Sequence, residues 1–345
     1  MSSDAPDALR TAIRRIAAGE TLEAPEASAA FQQVMSGAAS PAQIAALLVG
    51  LRVRGETAGE VAGAAQAMRA AMLELHADEP DTLVDTCGTG GGSITTFNIS
   101  TAAALLAAGA GVRIAKHGNR SFTSQCGSAD VLEALGVQID VGVPVMERAL
   151  REAGIVFMFA PLMHPAMRHV GPVRRELAIP TVMNIVGPLA NPARAGRQVI
   201  GASDERRMSL LAGALRELGT AHALVVHGSG LDEISPLGPT RGVEIRGGVL
   251  TEWATSPERH GLAPATPLEL AGGDPQRNAQ IILEVLSGDG SPGATSAVLL
   301  NAAAALYVGG RAATFDEGIV RAREALQRGA GLAALERLRT AYRAD

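Results

Sequence analysis

The sequence predicts an α/β protein: an N-terminal helical domain, then a larger α/β domain on a mainly parallel central sheet. Two patterns and one bound carry this. Residues 8–75 show apolar positions at helical spacing only. Beyond residue 80, short apolar runs alternate with helical stretches, the signature of strands crossed over by helices. The chain's 345 residues, 47% hydrophobic and 19% charged, suffice to bury a full globular core.

In the first segment Ile44, Leu47, Leu48 and Leu51 repeat at i, i+3, i+4, i+7. Ser40-Pro41 just before them supplies an N-cap and a first-turn residue. Val61, Ala65, Met68 and Met72 mark one face of the next helix. The strand candidates follow at 82–85, 112–115, 155–159, 198–201 and 223–227. Between the last two, Met208, Leu211, Leu215 and Leu218 keep helical spacing. Residues 163–192 carry few strand signals and are broken by Pro165, Pro172, Pro180, Pro188 and Pro192. That stretch is expected to rejoin the helical domain. The expected division is therefore 1–75 with 163–192 against 76–162 with 193–345. No internal repeat or low-complexity linker is visible.

A net charge of -5 disfavours a general nucleic-acid binder, which needs a basic face. The stretches 101–112 and 294–310 are alanine-rich and interrupted by Ser, Asn or Gly, so they read as buried helices rather than membrane spans. Two cysteines, Cys87 and Cys126, give no disulfide framework. The opening MSSDAPDALR lacks a basic and apolar secretory signal, so a cytoplasmic protein is expected. Lys116 is the only lysine, in a chain where arginine supplies every other cationic side chain. That singles it out as a place where a compact ammonium suits better than a planar guanidinium.

Two segments carry chemistry. Asp85 to Gly92 (DTCGTGGG) leads into Thr96-Phe97-Asn98-Ile99-Ser100-Thr101 and an alanine-rich helix. A strand, a glycine loop and a helix N-terminus form a phosphate cradle, because backbone N–H groups and the helix dipole both favour an anion. The nucleotide P-loop and dinucleotide patterns are absent. The same residues also read as a tight turn capped by Ser100 or Thr101. The second segment is Lys116-His117-Gly118-Asn119-Arg120-Ser121, directly after a strand, with Thr123, Ser124, Gly127 and Ser128 beyond. Such polarity at the end of a buried strand calls for a polar ligand, although a solvated loop is the other reading.

GTGG…TFNIST, KHGNRS and GSADVLEALG, in this order and spacing, closely resemble the anthranilate phosphoribosyltransferase family. The resemblance continues through Phe159-Ala160-Pro161, His164-Pro165-Ala166, Val173-Arg174-Arg175-Glu176-Leu177, Asn184 to Pro192, His227-Gly228 and Asp232-Glu233, covering most of residues 40–250. It implies the two-domain fold shared with nucleoside phosphorylases, with an active site between the domains. The implied reaction joins anthranilate to phosphoribosyl pyrophosphate (PRPP) in tryptophan biosynthesis. Pyrimidine nucleoside phosphorylases share the architecture but typically show KHSG and lack the NIST segment. A non-catalytic nucleic-acid binder would need a continuous basic surface.

By motif, the resemblance gives PRPP the residues Gly88, Gly91, Gly92, Thr96, Asn98, Ile99, Ser100, Thr101, Lys116, His117, Gly118, Asn119, Arg120, Ser121, Phe122, Thr123, Ser124 and Ser128. It gives anthranilate Gly88, Asn119 and Arg174, with Arg174 facing the carboxylate. His117 is read either as lining the acceptor pocket or as a hydrogen-bonded loop histidine. Ser100, Asp232 and Glu233 would serve two magnesium ions. On residue type alone, Asp232-Glu233 reads equally as an acidic surface pair. A homodimer through the N-terminal helices is implied too, with no nucleic-acid or membrane partner. The chain departs from the family at Gly92, where an aspartate is usual, and at Gln125-Cys126, where Lys-Ser is common.

Overall fold

The computed structural model describes residues 7–91, 94–121 and 125–343. Of the expected site residues, Gly92, Phe122, Thr123 and Ser124 lie outside the described residues. The chain begins α1 (Ala8–Ala17), α2 (Ala24–Met35), α3 (Pro41–Arg54), α4 (Ala58–Ala70), β1 (Val84–Gly88) and α5 (Ile99–Gly109). It continues with β2 (Ile114–Gly118), α6 (Ser128–Ala134), α7 (Val143–Ala153), β3 (Ile155–Phe159), α8 (Ala160–Met163) and α9 (Met167–Leu177). Next come β4 (Arg197–Gly201), α10 (Met208–Glu217), β5 (His222–Gly228), β6 (Thr240–Arg246) and β7 (Val249–Thr255). It closes with α11 (Pro267–Leu270), α12 (Pro275–Ser287), α13 (Pro292–Val308), α14 (Phe315–Gln327) and α15 (Ala330–Ala341). No described helix is long and apolar enough to cross a membrane.

One compact unit contains Met1–Leu73, Pro161–Ala190 and Ser209–Gly219. The last piece falls in α10, a helix that the sequence pattern left within 193–345. In this unit Ser40 caps α3: its hydroxyl accepts from the Gln43 N–H at 3.3 Å while the Gln43 side chain accepts from the Ser40 N–H at 2.9 Å. Ile44, Leu47, Leu48 and Leu51 are all buried. Val61, Ala65 and Met68 of α4 are buried as well, while the helix stops before Met72. Gly63 lets α4 lie close on α2, since a Cβ there would come within 2.7 Å of the Ala27 Cβ. Glu60 is fully buried yet satisfied, accepting from the Leu22 and Thr57 N–H groups and from Arg54.

The second unit contains Glu74–Ala160, Asn191–Met208 and Thr220–Asp345 and holds a seven-stranded sheet of order β3-β2-β1-β4-β5-β6-β7. The first five strands pair parallel and the last two antiparallel, which is the mainly parallel sheet expected. Strands β1 and β2 run further than their apolar residues suggested, taking in Thr86-Cys87-Gly88 and Lys116-His117-Gly118. Lys116, His117 and Gly118 are therefore strand residues rather than loop. The β6–β7 hairpin was not anticipated. Its signal is Gly247-Gly248, whose φ values of 57° and 79° suit a two-residue hairpin turn.

Helices α5, α13 and α15 pack together beside the sheet. A Cβ on Gly109 of α5 would overlap the Ala330 carbonyl at the start of α15, so glycine permits that approach. Strand β3 is an edge. Its exposed pairing groups are met by the buried Tyr342 hydroxyl, which accepts from the Phe157 N–H at 2.9 Å and donates to the Phe157 carbonyl at 2.6 Å.

Candidate active site

In chain order the sheet grows from β1 toward β3 on one side, then restarts at β4 on the other. The crevice outside the carboxyl ends of β1 and β4 is thus the topological switch point, where open α/β sheets bind ligands. Gly88 ends β1 and pairs with Gly201, which ends β4. The glycine loop expected to cradle phosphate begins there.

Close approach explains both glycines. A Cβ on Gly88 would overlap the Asp232 carboxylate, and one on Gly201 would overlap the Asp232 backbone carbonyl. Asp232 therefore lies directly across the ends of both strands. The loop continues with Thr89, whose N–H donates to the Gly201 carbonyl at 2.8 Å. Gly90 and Gly91 follow with φ of 71° and 78°, a region where an L side chain is strained. The Gly90 N–H donates to Asp232 Oδ2 at 2.9 Å.

Helix α5 starts at Ile99, with Asn98 as N-cap residue making no capping bond. Neither Ser100 nor Thr101 closes the turn as a cap. Ser100 is in the first turn, its hydroxyl accepting from Lys116 Nζ at 3.2 Å and its N–H donating to the Glu233 carboxylate. Thr101 is fully buried against a small cavity lined by Lys116, Phe157 and neighbouring apolar groups, so its side chain belongs to the core. Thr96 bridges to Ala271, which fixes the chain entering the helix.

Lys116 is 3% exposed and also donates to the Thr86 carbonyl. It stands between two acids. Asp85 is fully buried, and burial pushes its carboxyl up to about 6 against the pull of Lys116 and of the Asn191 amide. Its oxygens accept from the Asn191 side chain at 2.7 Å and the His117 N–H at 3.2 Å. Glu233 is held well above the usual carboxylate range by burial and by the charge of Asp232, with Lys116 acting in the opposite direction. Burial raises Asp232 too.

The loop after β2 is anchored by Asp130 at the start of α6. It accepts from the Ser121 N–H at 3.2 Å, the Gly127 N–H at 2.8 Å and Arg120 at 2.7 Å. Arg120 also reaches Glu133 and lies 5.5 Å from the Phe159 ring centroid. The Ser128 hydroxyl donates to the Asn119 carbonyl at 3.3 Å. Gly118 is needed because a Cβ would overlap that hydroxyl. Asn98, Cys126 and Asn278 join in one cluster, with Asn98 donating to the Cys126 carbonyl at 3.2 Å and accepting from Asn278 at 2.9 Å. Arg174 lies on α9 in the other unit, half-buried, its pKa lowered by burial. Among the described residues it has no ion-pair partner.

Three side chains that were given no role from the sequence hold this site: Asn191, within the Asn184 to Pro192 motif, and Asn278 and Asn301, outside any motif. Asn301 sits among apolar residues in the middle of α13. It donates to the Ile234 carbonyl at 2.9 Å and accepts from the Ile234 N–H at 3.0 Å, pinning the residue after Glu233. Asn301→Leu should leave both Ile234 groups unpaired, at about 1–3 kcal/mol each. Chemical unfolding should show the loss, and magnesium dependence of the rate should shift to higher concentration. An unchanged magnesium profile would make Asn301 a fold residue only.

Family models describe this architecture. The α/β domain of a glycosyl transferase family matches residues 80–332, and its helical bundle domain matches residues 10–72. The anthranilate phosphoribosyltransferase of Rubrobacter xylanophilus is 51% identical over 330 residues, covering 95% of this chain and 96% of that protein. The solved anthranilate phosphoribosyltransferase of Thermus thermophilus matches with a TM-score of 0.91 at 43% identity, covering 98% of this chain and 100% of that one. The Saccharomyces cerevisiae enzyme in complex with PRPP and Mg matches with a TM-score of 0.87 at 26% identity, covering 98% of each chain. With both domains matched and half the residues shared along almost its whole length, this chain belongs to the anthranilate phosphoribosyltransferase family of glycosyl transferases.

Proposed function

We infer that this chain transfers the phosphoribosyl group of PRPP to the amine of anthranilate, releasing pyrophosphate, and that the loop from Gly88 to Gly91 receives the pyrophosphate. The observation that carries this is a glycine loop at the sheet's switch point, backed by two carboxylates and a single buried lysine. Anthranilate's aromatic amine is neutral at pH 7, so the reaction needs no strong base. The difficulty lies in aligning the partners and stabilising charge on the leaving group.

A divalent cation fits the donor set. Asp232 and Glu233 are adjacent hard-oxygen groups whose burial and mutual repulsion favour added positive charge, and Ser100 supplies a hydroxyl beside them. Among the described residues no group of three His, Cys, Asp or Glu converges. Phosphate oxygens and water would complete the coordination of magnesium, proposed here as two ions. When bound, magnesium offsets the charge of the departing pyrophosphate.

Lys116 acts through what it holds. Buried between the Thr86 carbonyl and Ser100, it orients the Ser100 hydroxyl and balances Asp85 and Glu233. The Asp130 anchor shapes the 119–121 turn, proposed to face PRPP. Arg174, a half-buried guanidinium with no carboxylate partner among the described residues, is proposed to pair with anthranilate's carboxylate. The same reading includes a homodimer through the N-terminal helices, where Val53 of α3 is 81% exposed, and a cytoplasmic location.

Purified protein should consume anthranilate, followed by its fluorescence, only with PRPP and a divalent metal both present. A folded protein inactive under every metal condition would overturn the reading. Arg174→Ala should raise the KM for anthranilate about ten- to a hundredfold, the worth of a charge-assisted hydrogen bond, and leave that for PRPP nearly unchanged. Equal effects on both substrates would make Arg174 structural.

A further inference from the structure

We propose that this chain carries a second anion-binding site, for a small carboxylate or phosphate, at the end of the sheet opposite the glycine loop. A cavity of about 250 Å³ opens there, lined by Arg197, His222, Arg246, Tyr307, Gly310 and Ala312 among others. A single water needs only about 10–15 Å³, so the space suits a larger guest.

The strand register builds the site. Arg197 pairs with His222 across β4 and β5, and His222 pairs with Arg246 across β5 and β6. Residues in one row across a sheet project to the same face. Two guanidiniums thus flank one imidazole at roughly 5 Å per strand. The row lies at the amino ends of β4 and β5, whereas Gly201 and the glycine loop lie at the opposite ends.

The cavity's charge balance favours an anion. The Glu244 carboxylate is already engaged, accepting from His222 Nε2 at 2.8 Å and the Tyr307 hydroxyl at 2.7 Å. Burial first, then Arg246 and Arg197, lower the His222 pKa against the pull of Glu244. The imidazole is therefore neutral at pH 7, its Nε2 carrying the proton given to Glu244. Neither Arg197 nor Arg246 has an ion-pair partner among the described residues. Arg197 is fixed by backbone carbonyls only, donating from Nε to Asp81 at 2.8 Å and from Nη1 to Val308 at 2.6 Å. Arg246 hydrogen-bonds the Tyr307 hydroxyl and is otherwise exposed. Two unneutralised guanidiniums against one engaged carboxylate leave a net positive wall. Their planar forks match carboxylate and phosphate oxygens, while Tyr307, packed edge-to-face on His222 with centroids 4.9 Å apart, adds an aromatic wall beside them.

The test is calorimetric titration of the full chain with inorganic phosphate and, separately, with benzoate, both with the glycine-loop site filled by PRPP and magnesium and with Arg174→Ala in every protein compared, so that the acceptor place does not contribute heat. At least one probe should bind with a millimolar or lower Kd, and which one binds tells phosphate guests from carboxylate guests. Arg246→Gln should weaken that binding at least tenfold and leave steady-state rates without probe unchanged. Arg246→Lys, which keeps the charge and loses the fork, should fall between, and it serves if the Gln variant misfolds. Binding of neither probe, or equal binding with and without the Arg246 substitutions, would overturn the proposal. This outcome is independent of the transferase assay.

Discussion

Lys116→Met should lower kcat/KM for PRPP by about 100- to 1,000-fold, the range seen when one preorganised stabilising group is removed from an active site. The side chain is almost wholly buried, and its ammonium acts on Asp85, Glu233 and the Ser100 hydroxyl together. Without it, both acids take up protons more readily, and ionising Glu233 to receive the proposed metal becomes harder. Magnesium should then raise the melting temperature of the variant less than that of wild type. Lys116→Arg keeps the charge, but its planar group is too broad for a seam built around Thr86 and Ser100; partial activity is expected. A folded Lys116→Met protein with wild-type kcat/KM would refute the role given to this residue.

Gly88→Ala should cost at least 100-fold in kcat/KM while leaving the fold in place. Its φ is not in the left-handed region, so strain is not the cause. The added methyl would occupy the space of the Asp232 carboxylate and push it off the Gly90 N–H. Gly90→Ala is the informative contrast. Nothing lies within 4 Å of a Cβ there, but φ is 71°, so the cost is backbone strain of about 1–2 kcal/mol. The first variant should lose activity with little change in melting temperature, and the second should melt earlier with a smaller loss of activity. The reverse ranking would mean that Asp232 does not depend on the space beside Gly88.

Much of the fold was legible because burial imposes periodicity. The Ile44–Leu51 stripe shows its period directly, and the IVFMF run and the alanine-rich helices stand out as continuous apolar stretches bounded by polar or turn residues. What was misread follows from polarity inside the sheet. Thr86-Cys87-Gly88 and Lys116-His117-Gly118 looked like loop because their polar groups satisfy one another across strands, through Asp85, Asn191, Thr86 and Ser100. The β6–β7 hairpin alternates only in part, around Val243-Glu244-Ile245, and its plain signal is the Gly247-Gly248 turn. At the site, the glycine loop announced itself through residue type. Asp232-Glu233 did not, since an acidic pair acquires meaning only when the turn after β5 carries it across the ends of β1 and β4. The roles of Asn191, Asn278 and Asn301 were hidden for the same reason: a single amide has no period, and its partners are brought to it only by the fold.

The Tyr342 hydroxyl that closes the edge of β3 sets a timetable for synthesis. Phe157 leaves the ribosome 185 residues ahead of the tyrosine that occupies its N–H and carbonyl. At roughly 5–20 residues per second, the IVFMF edge waits on the order of ten seconds or more with its pairing groups open. An apolar edge in that state is a template for another chain. Nascent chains halted before residue 342 should therefore aggregate or hold a chaperone, and release should coincide with emergence of the tyrosine.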